Sequence, residues 1–115
     1  MDAGVTERRR DTRYGAEVAG GISARVRPGH DVVLVDVSVS GALIEAINPL
    51  RPGARVHVQL KTSASGAALS ARVTRCAVAA ITDAGIVYRA ALHFDHRSEW
   101  VGQSLALHTI GEERA

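Results

Sequence analysis

Two groups of residues have types and spacing suited to ligand recognition: the arginines Arg8, Arg9, Arg10 and Arg13, and the run Asp36-Val37-Ser38-Val39-Ser40-Gly41. An arginine fork pairs bidentately with a phosphate or with the O6/N7 edge of a guanine, and its flat face stacks on a base. An aspartate carboxylate accepts from a purine's ring N–H and amino group, while a serine hydroxyl serves a phosphate or a base edge. Gly41 permits either close backbone approach or a positive φ. Plainer readings exist for the same residues. An N-terminal basic run also serves as a solvated tail, and Asp and Ser before a turn also satisfy nearby backbone donors.

Covalent chemistry has weaker support. The stretch His93-Phe94-Asp95-His96 contains three candidate metal ligands, but its histidines straddle a strand end and no remote thiolate or carboxylate completes a site. Cys76 has no base near it in sequence and reads as a small packing residue. Neither a Gly-rich phosphate loop nor a nucleophile elbow occurs. The chain is expected to be a binder with no metal and no cofactor, and not an enzyme.

The elements that position these residues are short strands. Ile22, Ala24 and Val26 alternate with Ser23, Arg25 and Arg27, and a Pro28-Gly29 turn follows. Val33, Val35, Val37 and Val39 then share one face, which alternation assigns to the core, and Asp36 and Ser38 share the other, placing both on the exterior. Ala42 to Ile47 is the next strand, and residues 48–53 form a loop rich in Pro and Gly. Arg55 to Lys61 alternates cleanly, and a hairpin of Ala67 to about Val78 and Ile86 to Phe94 completes the set, with Tyr88, Ala90, Leu92 and Phe94 inward. Six strands at this spacing predict an all-β, antiparallel barrel, because closure removes exposed sheet edges. Ser98 is a candidate N-cap for a C-terminal helix carrying Trp100, Val101, Leu105 and His108, with Gly111 as its stop. The expected division is a flexible arginine-rich arm over 1–13, the barrel with its helix over 14–111, and a tail over 112–115.

Composition fits this division. The 115 residues suffice for one domain, and with one Trp, two Tyr and one Phe the core must rest on aliphatic side chains. A net charge of +2 is too small for a general binder of nucleic-acid polymers. With Tyr88 and Phe94 inward, the surface also lacks aromatics on which single-stranded bases stack. The single cysteine gives no sign of an oxidising compartment, and no apolar run is long enough for a signal peptide or membrane span, so a cytoplasmic location is expected.

Taken together, Arg9 and Arg13 as RxxxR and Asp36, Ser38 and Gly41 as DxSxxG, in that order, resemble the PilZ domain family. The stretches DVSVSGALIEA and YRAALHF, and the loop ending at Gly53, extend the resemblance over most of the chain. The resemblance implies a six-stranded PilZ-like β-barrel that binds cyclic di-GMP on its outer surface, with the arginine motif in an N-terminal segment folding over the ligand. Arg8, Arg9, Arg13, Asp36, Ser38 and Gly41 are then the expected ligand-binding residues, and a separate effector protein is the expected partner. Ala91 departs from the pattern, which commonly has Gly there. That departure keeps open an alternative, a PilZ-like protein-interaction subunit that has lost nucleotide binding.

Overall fold

A computed structural model describes residues 13–15, 21–27 and 29–105 of the chain. Six strands, β1 (Ser23–Val26), β2 (His30–Val37), β3 (Gly41–Ala46), β4 (Arg55–Lys61), β5 (Gly66–Thr82) and β6 (Gly85–Phe94), pair antiparallel throughout. They close into a barrel in the order β1-β2-β3-β6-β5-β4. Period-two patterning favours closure: each strand offers an apolar face over much of its length, and a closed sheet buries these faces in one core. Ile44, Val58, Leu60 and Val73 are fully buried, and alanines such as Ala42, Ala71 and Ala90 let facing walls approach where aromatics would not fit.

Strand β2 departs from simple alternation. Val33 pairs with Glu45 and Leu34 with Ile44, but the next pair is Asp36 with Leu43, so Val35 is an inserted residue. Such a bulge shifts the side-chain phase by one. Upstream of it Leu34 is the buried residue and Val33 is 63% exposed; downstream Val37 is fully buried and Asp36 faces out. The expected Val33, Val35, Val37 and Val39 face therefore holds only from the bulge onward.

One end of the barrel is closed by a helix, α1, which is described over residues 99–105. Ser98 caps it as expected: its Oγ accepts the Val101 amide at 3.1 Å. Val101 and Leu105 are buried in the barrel's own core, and the Trp100 indole donates to the Ser65 hydroxyl at 2.8 Å. His108 and Gly111 lie outside the described residues. At the other end β5 and β6 outrun their neighbours, since β4 pairs no further than Arg55 with Arg72 and β3 no further than Ala46 with Tyr88. Tyr88, at that rim, is only partly buried, unlike the inward residues Ala90, Leu92 and Phe94.

Candidate ligand-binding site

The turn between β2 and β3 is the structural centre of the site. The Ser38 amide donates to the Gly41 carbonyl at 2.9 Å, closing a two-residue connection through Val39 and Ser40. Both connecting carbonyls are used: that of Ser40 accepts from the Phe94 amide at 2.8 Å, and that of Val39 from the Ser98 amide at 2.8 Å. The turn is thus tied to the end of β6 and to the cap of α1. Gly41 has no positive φ; its role is close approach, because a Cβ there would overlap the Leu92 carbonyl oxygen on β6.

Asp36 stands on the barrel exterior as expected, but Ser38 does not. Ser38 is buried, and its Oγ accepts the Ser40 amide at 3.2 Å and lies 3.2 Å from the Ser40 hydroxyl. Alternation fails at this position because the chain is already turning, and the hydroxyl satisfies a turn donor instead of projecting from a strand. Ser38→Ala is accordingly expected to lower stability by about 1 kcal/mol, the size of one lost hydrogen bond. Urea unfolding of the variant reads this directly; an unchanged midpoint would show that the hydroxyl has no part in holding the turn.

Arg13 reaches the site through backbone pairing. Tyr14 forms an isolated antiparallel bridge with Val37: its amide donates to the Val37 carbonyl at 2.8 Å, and the Val37 amide donates back at 3.0 Å. The Tyr14 ring packs against the core, which anchors the segment. In this antiparallel pairing Arg13 falls opposite Ser38, and its side chain reaches diagonally to Asp36, with Nη1 3.3 Å and 3.5 Å from the two carboxylate oxygens. Tyr14 has no signal in the sequence, since its partner is remote in the chain. Arg8 and Arg9 lie outside the described residues.

The Arg13 side chain is 69% exposed and that of Asp36 21%. An ion pair this open and this long contributes about 0–1 kcal/mol, so the contact is not a structural brace. It is a pair of opposite charges held ready at the surface, whose arginine retains free donors and whose carboxylate retains free lone pairs.

Strand registers extend the site sideways. On the outer face Asp36 pairs with Leu43, Leu43 with Ala91, and Ala91 with Arg75, forming one row across β2, β3, β6 and β5. The row beside it runs Gly41, His93, Arg72 and Arg55. Arg89 is paired with Glu45, and Arg55 with Asp95 at 2.7 Å. Among the described residues Arg72 and Arg75 have no carboxylate partner, so this face carries surplus positive charge. Leu43, Arg72 and Arg75 join the site only through cross-strand register, which no single strand's pattern discloses. Ala91 sits between Leu43 and Arg75 on the outer face, half-buried. Asp95 is committed to Arg55, and among the described residues no three His, Cys, Asp or Glu side chains cluster as a metal site would require.

The same barrel occurs in solved structures. The PilZ domain of YcgR from Escherichia coli, described with c-di-GMP, is 17% identical with a TM-score of 0.65, over 93% of this chain and 92% of that one. The K. pneumonia MrkH–c-di-GMP complex is 18% identical with a TM-score of 0.71, over 92% of this chain and 54% of that one. The Borreliella burgdorferi PlzA protein in complex with c-di-GMP is 16% identical with a TM-score of 0.59, over 96% of this chain and 55% of that one. The chain thus spans about half of the latter two proteins and nearly all of the first domain. No curated protein sequence matches it significantly. The PilZ domain model matches residues 7–105, which takes in both arginine and aspartate motifs, all six strands and the described part of α1, and the chain belongs to the PilZ domain family.

Proposed function

We propose that this chain is a receptor for cyclic di-GMP, which it binds on the outer face around Asp36, and that it passes the signal to a separate partner protein. The observation that carries the reading is the meeting of Arg13 with Asp36, brought about by the Tyr14–Val37 bridge. The last arginine of one motif and the aspartate of the other, 23 positions apart, form one surface site on a face with surplus positive charge. The likeness to PilZ structures described with c-di-GMP supports the same ligand.

The chemistry divides between the two motifs. Asp36 accepts from a guanine's ring N–H and amino group, and Arg13 takes a phosphate or a guanine O6/N7 edge. Arg9, four residues earlier, can stand up to about 13 Å from Arg13 in extended chain, far enough for the two side chains to reach different groups of one ligand. Ser38 and Gly41 shape the turn that carries Asp36. Binding changes the surface that a partner sees and makes or breaks no bond, which fits a cytoplasmic receptor rather than an enzyme.

Calorimetric titration tests the reading, with GTP and a short RNA as controls. Saturable binding of cyclic di-GMP alone is expected, and absence of binding would sink it. In that case the outer-face methyl of Ala91 favours the second reading, a PilZ domain serving protein contacts without nucleotide. Stoichiometry is a separate expectation. The family resemblance implies that an arginine immediately before RxxxR accompanies an intercalated ligand dimer; Arg8 occupies that position, its guanidinium can stack on the additional guanine, and two ligand molecules per chain are expected at saturation. Arg8→Leu should lower the ratio toward one; a ratio of one in the unmodified chain contradicts this part.

A further inference from the structure

Among the described residues, the part of β5 beyond the barrel rim has one unpaired edge. Residues 75–82 pair with β6 alone, and among the described residues no strand lies on their other side. Antiparallel ribbons of two strands are marginal by themselves, and exposed edges are normally blunted by Lys, Pro or charge. From Cys76 to Thr82 this edge has no charged residue and no proline. It also carries large apolar side chains in the open: Val78 is 54% exposed and Ile81 78%. Val78 pairs with Tyr88 and Ile81 with Ile86, and β6 alternation puts Tyr88 and Ile86 on the same face, so all four form one stripe.

We propose that this edge pairs antiparallel with the same edge of a second copy, joining two chains through a four-stranded sheet. Antiparallel self-pairing about a two-fold axis is satisfied by identical strands. The register shift at Ala79 selects the alignment, because only residues on matching faces can sit opposite each other. With the axis between Ala79 and Ala80, Val78 of each copy faces Ile81 of the other, and Ala77 faces Thr82. The same alignment brings Arg75, at one end of the segment, beside the turn containing Asp83 of the other copy, so the two charges bounding the edge are complementary across the interface. The chain's own C-terminal helix is not a competing occupant, since α1 packs at the Val39 and Ser65 turns on the opposite end of the barrel.

A strand pair of eight residues a side is smaller than a standard interface of roughly 20–30 residues a side, so the dimer forms reversibly at micromolar to millimolar concentration. Analytical ultracentrifugation of the chain without nucleotide, from 10 µM to 1 mM, reads the equilibrium. The unmodified chain should shift from monomer to dimer. Ile81→Lys removes two symmetry-related contacts, each worth about tenfold, and should weaken association about a hundredfold. Asp83→Arg should weaken it by about tenfold, and Arg75→Asp in the same chain should restore it; circular dichroism confirms that each variant keeps the barrel. A monomer throughout the range, a dimer indifferent to Ile81→Lys, or failure of the charge exchange to restore association overturns the proposal.

Discussion

Replacing Arg13 by alanine is expected to lower cyclic di-GMP affinity about thirty-fold or more while leaving the melting temperature within a degree or so of the parent chain. The binding loss follows from removing a charged donor whose partner becomes desolvated in the complex, a change that typically costs 2–5 kcal/mol. The unaltered stability follows from the free structure. Arg13 is 69% exposed and meets Asp36 at 3.3 Å, so the pair contributes little to folding. The anchor of the segment is instead Tyr14, through its two backbone bonds to Val37 and its packing on the core. Asp36→Ala should behave in the same way. Paired titration calorimetry and thermal unfolding check both results together; equal affinity in Arg13→Ala and the parent would remove the arginine from the site.

Gly41→Ala is expected to lower the melting temperature by about 4–12 °C. The added Cβ would lie inside 3.0 Å of the Leu92 carbonyl oxygen, a backbone atom that cannot rotate away. Strands β3 and β6 must therefore part locally, and overpacking of this kind costs about 1–3 kcal/mol, or roughly 4 °C per kcal/mol for a chain of this size. The same displacement moves the turn that carries Asp36 and weakens ligand binding as a secondary effect. A Gly41→Ala variant as stable as the parent would show that the β3–β6 contact is looser than its geometry implies.

How far residues disclose structure differs along the chain. In β4 apolar Val56, Val58 and Leu60 alternate with polar neighbours, so the inward face is readable from the pattern. In β2 the run Val32-Val33-Leu34-Val35 is apolar at every position, so it contains no phase information across the bulge, and the assignment of Val33 to the core fails there. The Ser98 cap is legible because it acts locally, through an amide three residues on. β5 extends to Thr82, past the expected end near Val78, because its last residues are held by hydrogen bonds to β6 and not by a buried face. For the site, the outward placement of Asp36 was legible from alternation; its contact with Arg13 was not, because the Tyr14–Val37 bridge that brings it about joins residues remote in the chain. The burial of Ser38 was not, since a hydroxyl two residues from a carboxylate looks alike on a strand and in a turn. The row through Leu43, Ala91 and Arg75 depends on register between strands far apart in the chain, which no local pattern specifies.

The central claim is that the outer face around Asp36 receives cyclic di-GMP. Amide chemical-shift mapping of the labelled chain during a cyclic di-GMP titration tests it most directly. Saturable shifts are expected to concentrate at Arg13 to Gly15, Asp36 to Leu43 and Ala91 to His93, with Ser23, Gln59 and Lys61 on β1 and β4 unmoved. Shifts absent at saturating nucleotide, or confined to the β1–β4 side of the barrel, would contradict it.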